Sequence, residues 1–333
     1  MMKKFLAIFL AALMLLGMLS GCQKTDGADQ TTTQATEETK PEQPAEEQEF
    51  LRVLTIGNSH TVDSNLMLYT VFRKEMPNQK VMLGNMYYSG CSVSQHVDHF
   101  ENNQPVYVYY KNNGSGWEQH KGKTLEDALK EQAWDIIILH EMNNGTATES
   151  TYQNDNYQKL INYFKEKTVY APKIIYNLGW ANPTSEELWK LGYPGDWVNS
   201  YKQNWGDYTT MFTKMVELVD KNVLPMKDIS GMIPTGTAFC YARNELGKTD
   251  EELYRDYTHL SDLGSLLTAY LWYAVITEQT ELSAVNIDMI AAQQRYEKNW
   301  GKGDWFITQD IKDMIVKSVN FALKNPMQVT PAK

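Results

Sequence analysis

Cysteine is scarce in this sequence, and basic residues do not cluster. The 333 residues contain three cysteines, which are too few for a disulfide framework. Lys and Arg number 31 against 41 Asp and Glu, so the formal net charge is −10. A nucleic-acid-binding face needs concentrated positive charge, and the sequence contains no basic stripe or run. We therefore expect no nucleic-acid partner.

Aromatic residues, Val, Ile, Leu and Met are all absent from residues 23–48, which are rich in Glu, Thr and Gln. Such a segment cannot bury enough apolar surface to offset the entropy lost on ordering. We predict that it is a disordered acidic linker. Residues 49–333 have a globular composition and are predicted to form a single domain.

Residues 1–22 have the layout of an export signal. The basic segment MMKK precedes the apolar run FLAIFLAALMLLGML, which is too short and too close to the terminus for a typical membrane span. The run is followed by SGC, and LSGC resembles a bacterial lipobox, in which cleavage precedes Cys22 and its thiol carries lipid. We expect a lipoprotein signal peptide and an extracytoplasmic protein anchored to the cell membrane; an ordinary signal peptide is the alternative. A disulfide between Cys91 and Cys240 stays open in such a compartment.

Short apolar runs alternate with helix-like segments throughout the globular part. We predict strands at 50–56, 80–88, 134–142, 173–180 and 228–239. We predict helices at 64–76, 124–132, 155–170, 208–222 and 260–280. This alternation indicates β-α-β units and a parallel sheet buried on both faces. The expected fold is an α/β, three-layer α/β/α sandwich with a five-stranded, mostly parallel, flavodoxin-like sheet, in which ligands bind beyond the carboxyl ends of the strands.

Ser59 stands where the first predicted strand ends and the chain turns towards a helix, in LTIGNSHTVD. A serine in that place is more often a helix cap than a catalyst, because its hydroxyl satisfies a backbone N–H. As a nucleophile, it would need a base, a carboxylate that orients the base, and donors for an oxyanion. The choice between these roles therefore depends on residues elsewhere in the chain.

His259 is the best candidate base among the six histidines. It stands in DYTH, directly before a strongly apolar segment, and Asp256 can fold back onto its Nδ1 while Nε2 stays free. His60 adjoins Ser59, but the side chains of neighbouring residues diverge. Asp256 and His259 are therefore the expected partners of a nucleophilic serine.

The other histidines are weaker candidates. His96 and His99 flank Asp98 and could hold a metal, yet no third ligand stands at a recognisable spacing. We therefore expect a solvated loop or helix face there, and no metal. His120 lies in a polar loop, whereas His140 ends the third predicted strand and could contact a substrate.

Four blocks taken together resemble those of the SGNH (GDSL) hydrolase superfamily, and most closely a branch of exported bacterial SGNH hydrolase-like proteins. The blocks are GNS (57–59), SGCS (89–92), HEMNN (140–144) and DYTH (256–259). The resemblance covers about residues 51–277 and implies Ser59 as nucleophile, His259 as base and Asp256 as its orienting carboxylate. It also implies an oxyanion hole formed by the backbone N–H groups of Ser59 and Gly90 and by an asparagine side chain.

The blocks depart from the superfamily pattern in two places. Asn58 replaces the Asp of the first block, at a position that is not the reacting group. In the third block His140 replaces the Gly of G-x-N, and the asparagine is displaced to Asn143 or Asn144. We assign Asn143 to the oxyanion hole and keep Asn144, with His140, as a candidate substrate contact.

The resemblance implies a surface-anchored serine esterase that hydrolyses acyl esters through an acyl-enzyme and needs no cofactor. Acetyl esters of carbohydrate are the expected substrates, because the anchor and the wealth of Tyr and Trp favour a glycan over a soluble metabolite. The incomplete third block motivates an alternative, a non-catalytic glycan-binding lipoprotein on the same fold. A transport-type solute-binding protein would need two pseudo-symmetric lobes, of which the sequence gives no sign.

Overall fold

The computed structural model describes residues 49–192, 201–294 and 303–332. The predicted signal peptide, the lipid site at Cys22 and the linker 23–48 lie outside the described residues and stay predictions. Among the residues that are described, no helix combines the length and apolar character that a membrane span requires.

A seven-stranded sheet lies at the centre of the fold. Its strands are β1 (Phe50–Gly57), β2 (Lys80–Tyr87), β3 (Tyr107–Asn112), β4 (Glu118–Lys123), β5 (Ile136–Leu139), β6 (Lys173–Asn177) and β7 (Gly231–Ile233). Their spatial order is β4-β3-β2-β1-β5-β6-β7. Strands β2, β1, β5, β6 and β7 pair in parallel and by themselves have the flavodoxin-like order. Strands β3 and β4 extend one edge as an antiparallel hairpin.

The predicted number of strands is wrong, because the β3–β4 hairpin was missed. Strand β4, EQHKGK, has no apolar residue and lies at the edge of the sheet, so no hydrophobic pattern marks it. The predicted strand 228–239 is also too long, since Thr235–Asn244 is a helix. That helix is buried on most of its surface, and a short buried apolar run does not by itself distinguish helix from strand.

Helices cover both faces of the sheet, as the predicted three-layer sandwich requires. One group of helices in mutual contact comprises Val93–Glu101, Leu125–Glu131 and Asn156–Lys167. A second group comprises Ser59–Asn65, Leu68–Glu75, Thr235–Asn244, Asp250–Leu253, Asp262–Ile276 and Gln309–Lys324. Further elements are Asn143–Thr146, Glu186–Gly192, Tyr208–Asn222 and a small sheet of Met289–Ile290 with Trp305–Phe306.

The helix Asp262–Ile276 is the most deeply buried of the second group. Thirteen of its fifteen residues are buried, which explains its apolar character on all sides. Ser261 caps it by accepting a hydrogen bond from the backbone N–H of Gly264 at 3.0 Å. The helix predicted at 260–280 is therefore confirmed, whereas the one predicted at 64–76 is two helices, the first of which begins at Ser59.

Candidate active site

Neighbouring parallel strands bring the first and third sequence blocks to one edge of the sheet. Strand β1 ends at Gly57 and lies between β2 and β5. The backbone N–H of His140, just after β5, donates to the carbonyl oxygen of Ile56 at 3.1 Å. The backbone N–H of Tyr88, just after β2, donates to the carbonyl oxygen of Gly57 at 3.3 Å. The loops that follow these strands are therefore neighbours.

Ser59 is the first residue of the helix Ser59–Asn65, here called the serine helix, and Asn58 is its cap. Asn58 Oδ1 accepts a hydrogen bond from the backbone N–H of His60 at 3.0 Å. Asn58 Nδ2 donates to the carbonyl oxygen of Cys91 at 3.0 Å, which holds the second block beside the first. The cap is thus Asn58, and the hydroxyl of Ser59 is left for another partner.

That partner is His259, which is 200 residues away in the sequence. Ser59 Oγ lies 2.8 Å from His259 Nε2, and both side chains are partly exposed. The two oxygens of Asp256 lie 2.9 and 3.0 Å from His259 Nδ1. Asp256 Oδ1 also accepts the backbone N–H groups of Thr258 and His259 at 3.0 and 2.8 Å. The arrangement is that of a nucleophile, a base and a group that orients the base.

The lowered pKa of Asp256 suits a carboxylate that orients the imidazole of His259. Burial alone would raise the pKa of this carboxyl, but the hydrogen bond and charge of His259 and the two backbone N–H bonds lower it to about 2. Asp256 is therefore ionised at neutral pH. An ionised carboxylate at Nδ1 holds the proton on that nitrogen and leaves the lone pair of Nε2 towards Ser59 Oγ.

A buried ion pair that sequence reasoning missed joins the serine helix to the histidine loop, residues 255–260. Asp63 Oδ1 accepts a hydrogen bond from Arg255 Nη2 at 2.9 Å, and Asp63 Oδ2 accepts the backbone N–H of Leu260 at 2.8 Å. The Asp63 side chain is 1% exposed. Asp63 follows Ser59 by four residues, so helical spacing was a signal that could have suggested a shared face.

Two buried histidines, His60 and His140, lie behind His259. The ring centroid of His60 is 5.7 Å from that of His259 and 5.5 Å from that of His140. His60 Nε2 lies 2.9 Å from Thr258 Oγ1. Burial lowers the pKa of both residues, that of His140 to about 4, so both are neutral at pH 7. His60 therefore places no positive charge beside His259 at this pH.

His140, which the sequence predicts as a candidate substrate contact, has a fully buried side chain. Its Nδ1 lies 3.0 Å from Asn177 Nδ2 and its Nε2 lies 3.4 Å from His60 Nδ1. The ring also stacks on Trp180 with a centroid distance of 6.1 Å. Strand β5 ends inside the core at this point. His140 therefore packs behind the site, in contact with His60.

Asn143 and Asn144 both contact Asn182, a residue that sequence reasoning missed. Asn143 Nδ2 lies 3.5 Å from Asn182 Oδ1, whereas Asn182 Nδ2 donates to Asn144 Oδ1 at 3.0 Å. Thr258 Oγ1 donates to Asn182 Oδ1 at 3.0 Å. Asn182 therefore connects the third block to the histidine loop. Asn143 is 1% exposed, and its Oδ1 has no hydrogen-bond partner among the described residues.

Gly90 lies in the loop after β2 and has a φ of +62°, where an L side chain would be strained. The nearest atom to a Cβ built there would be Met142 Sδ, at 3.9 Å, so the space beside Gly90 is open. Within the described part of the chain, neither the backbone N–H of Gly90 nor that of Ser59 has an acceptor. The two unpaired backbone donors thus lie at Ser59 and in the loop that Asn58 holds beside the first block.

The expectation that His96 and His99 lie on a solvated face is also wrong. They are 0% and 8% exposed, because the helix Val93–Glu101 turns them towards β3. There the hydroxyl of Tyr107 lies 2.7 Å from His96 Nδ1 and 3.1 Å from His99 Nδ1. Sequence spacing on a short helix could not show which face packs against the sheet.

Cys91 and Cys240 do not form the disulfide that the sequence left open. Both are free and buried. Cys91 lies in the second block, whereas Cys240 contacts Thr330 near the carboxyl terminus.

Comparisons with known proteins agree with the fold. No curated protein matches the chain. It aligns with the crystal structure of a DUF4886 family protein from Bacteroides uniformis ATCC 8492, with a TM-score of 0.67, 25% identity and coverage of 84% of this chain and 97% of that one. It also aligns with an acetylxylan esterase from Geobacillus stearothermophilus at a TM-score of 0.42 and 12% identity, over 68% of this chain and 94% of that one. A structural similarity this low does not by itself indicate a shared function.

The family is shown by the sequence itself. Residues 52–292 match the profile of a family described as "Domain of unknown function (DUF4886)". The match extends from β1 through the histidine loop and the helix that follows it, so it contains all four sequence blocks. The chain therefore belongs to the DUF4886 family.

Proposed function

We propose that the protein is a serine esterase in which Ser59, His259 and Asp256 form the catalytic triad. The 2.8 Å separation of Ser59 Oγ and His259 Nε2, with Asp256 at Nδ1, is the observation that carries the proposal. This geometry lets the imidazole accept the hydroxyl proton as the oxygen attacks an ester carbonyl.

The remaining steps follow from the same groups. The N–H groups of Ser59 and Gly90, with the side chain of Asn143, would stabilise the tetrahedral oxyanion. Protonated His259 would then give its proton to the leaving alcohol, and an acyl group would remain on Ser59 Oγ. His259 would next take a proton from water as the water oxygen attacks the acyl carbon. It would return that proton to Ser59 Oγ as the bond between Oγ and the acyl group breaks and the acid leaves.

Acetyl esters of carbohydrate are the substrates that we propose. The ring of Tyr257 is partly exposed, lies 6.3 Å from that of His259 by centroid, and packs against Trp189 at 5.1 Å. The ring of Tyr257, held in place by Trp189 and close to His259, offers a flat apolar face against which a sugar ring can pack. If Tyr257 serves this purpose, Tyr257→Ala should raise the KM for an acetylated xylo-oligosaccharide and leave the KM for p-nitrophenyl acetate nearly unchanged.

Labelling and turnover test the proposal together. The purified protein should react with a fluorophosphonate probe and hydrolyse p-nitrophenyl acetate, and Ser59→Ala should abolish both. Ser115→Ala, in the exposed turn between β3 and β4, is the matched control and should retain both. A folded wild-type protein that neither reacts nor turns over substrate would refute the esterase. If it nevertheless binds acetylated sugar, the non-catalytic glycan-binding alternative is correct.

We also propose that the enzyme is anchored to the outer face of the cell membrane through lipid on Cys22, because LSGC follows a basic and apolar leader. A radiolabelled fatty acid should be incorporated into the wild-type protein during expression in bacteria. Cys22→Ser should abolish incorporation and release the protein from the membrane fraction. Equal labelling of both proteins would refute the anchor.

A further inference from the structure

We propose that Cys91, His96 and His99 form a metal site that binds Zn²⁺. The candidate ligand atoms of these three buried residues all lie within 4.8 Å of one another. Cys91 Sγ and His99 Nδ1 are 4.0 Å apart. The proposal concerns a different cluster from the serine site and does not depend on the esterase.

Local structure explains why the three side chains meet. The loop after β2 ends at Ser92, which begins the helix Val93–Glu101 with a reciprocal capping box. This cap sets the direction in which the helix leaves the loop, so that Cys91 faces the first turns of the helix. His96 and His99 are three residues apart and therefore project from the same helical face.

The ligand set fits zinc better than other common cations. A thiolate and two imidazoles are borderline or soft donors, which suit Zn²⁺, whereas Mg²⁺ and Ca²⁺ prefer oxygen ligands. In a tetrahedral site, Zn–N and Zn–S bonds of about 2.0–2.3 Å place ligand atoms roughly 3.3–3.6 Å apart. A pair of ligand atoms at the 4.8 Å limit would thus have to approach by about 1.2–1.5 Å on binding, through rotation of the side chains.

The hydroxyl of Tyr107 lies between the two imidazoles, 2.7 Å from His96 Nδ1 and 3.1 Å from His99 Nδ1. Its oxygen is therefore in position to become the fourth ligand. A phenol has a single proton and can donate to only one of these nitrogens at a time. Among the described residues, His96 Nε2 has no partner although the ring is fully buried. Hydrogen bonding alone thus leaves part of this polar cluster unsatisfied.

A metal here would restrain a loop of the serine site. The carbonyl oxygen of Cys91 accepts a hydrogen bond from Asn58 Nδ2 at 3.0 Å, and Cys91 directly follows Gly90. Metal bonds at the Cys91 thiolate would hold this loop against the Val93–Glu101 helix. We therefore assign the metal a structural role, separate from the reacting groups.

Cobalt and zinc binding test the proposal directly. The purified protein is stripped with a chelator and titrated with Co²⁺, whose absorption reports a cobalt–thiolate bond and tetrahedral geometry. One Co²⁺ per chain, with a thiolate band that Zn²⁺ removes, is the expected result. Elemental analysis should then find one zinc per chain, and zinc should raise the melting temperature of the stripped protein. A wild-type protein without the thiolate band would overturn the proposal.

Matched variants locate the metal. Cys91→Ser should abolish the thiolate band, and His96→Gln and His99→Gln should each weaken zinc binding more than about tenfold. Cys240→Ser is the control, since Cys240 is equally buried and no histidine contact accompanies it in the described residues. A thiolate band that persists in Cys91→Ser would refute the site. Circular dichroism checks folding, and if Cys91→Ser does not fold, unchanged zinc affinity in His99→Gln gives the same refutation.

Discussion

On one side of Ser59 the histidine loop is held by charged groups, and on the other side the two asparagines of the third block contact a neutral amide, that of Asn182. Asp63 binds Arg255 at 2.9 Å and the backbone of Leu260 at 2.8 Å. Asn143, in contrast, reaches its amide partner only at 3.5 Å. Hydrogen bonds that involve an ionised group are roughly twice as strong as neutral ones. The histidine loop is therefore held more firmly than the side chain of Asn143.

The difference suggests how the DUF4886 chain tolerates its altered third block. Proton transfer requires a base at a well-defined position. The carboxylate of Asp256 holds the imidazole of His259 itself, and the carboxylate of Asp63 binds both ends of the histidine loop. An oxyanion can instead be bound by backbone N–H groups, which need no particular side chain. We therefore expect loss of the Asp256 carboxylate, on the charged side, to cost more activity than substitutions among the asparagines.

Among the residues that hold the two sides of the site, Asp256→Asn should have the largest effect on activity. An amide at this position cannot stabilise the imidazolium and favours the wrong tautomer of His259, so we expect kcat to fall by about 10³–10⁴-fold with little change in KM. Steady-state kinetics with p-nitrophenyl acetate measure the effect. Asp220→Asn, on the exposed face of the helix Tyr208–Asn222, is the control and should be neutral. A loss below tenfold in Asp256→Asn would contradict the triad.

Asn143→Ala should lower kcat by about 10²-fold, the effect of removing one oxyanion donor. Asn144 is partly exposed and binds Asn182 through its oxygen, so Asn144→Ala should cost less than about tenfold. The losses of kcat in the two variants, measured with the same ester, show which asparagine donates to the oxyanion. A larger loss in Asn144→Ala would transfer the oxyanion role to that residue.

Asp63→Asn should reduce both stability and activity. The substitution leaves Arg255 buried without its counter-charge, which costs about 3 kcal/mol of unfolding free energy by analogy with other broken buried pairs. The histidine loop then loses a constraint, and we expect kcat to fall about tenfold while KM is retained. Urea denaturation and kinetics give the two values. Unchanged kcat in a destabilised protein would show that the ion pair supports the fold alone and does not position His259.

The smallest expected effect is a loss of stability in acid. The pKa of Asp256 is lowered to about 2, below the value of about 4 in an unfolded chain, so its ionised form stabilises the native state. We expect a contribution of about 1–2 kcal/mol that is fully present above pH 4 and is lost between about pH 4 and pH 2. The difference in unfolding free energy between wild type and Asp256→Asn should shrink over this window. A difference that does not vary with pH would contradict the depressed pKa.

Much of the fold could be predicted from local pattern. Four of the five parallel strands, β1, β2, β5 and β6, are short and largely apolar runs, and their burial on both faces is what such runs indicate. The β3–β4 hairpin could not be predicted, since its outer strand is polar and is stabilised by pairing with a neighbour. The predicted strand 228–239 includes the first half of the helix Thr235–Asn244 for a related reason, because the apolar residues of this helix reflect burial on most sides.

Some residues of the candidate site could likewise be predicted from the sequence, and others could not. Ser59, Asp256 and His259 could be predicted, because their motifs lie where a strand ends and where a helix begins. Asp63 could not, although it binds the histidine loop, because an acidic residue in a helix is usually solvated. The burial of His140 could not be predicted either, since its position at the end of a strand does not reveal what covers it.

The sequence by itself determined the type of fold, the family and the three residues of the proposed triad, because periodic burial and short motifs are local properties of the chain. Only the tertiary structure decided which polar groups meet across long separations. The pairing of Asp63 with Arg255 depends on how the serine helix and the histidine loop pack. The approach of Cys91 to His99 likewise depends on which face of a helix the sheet buries. These contacts follow from packing of the whole domain, in which distant residues become neighbours.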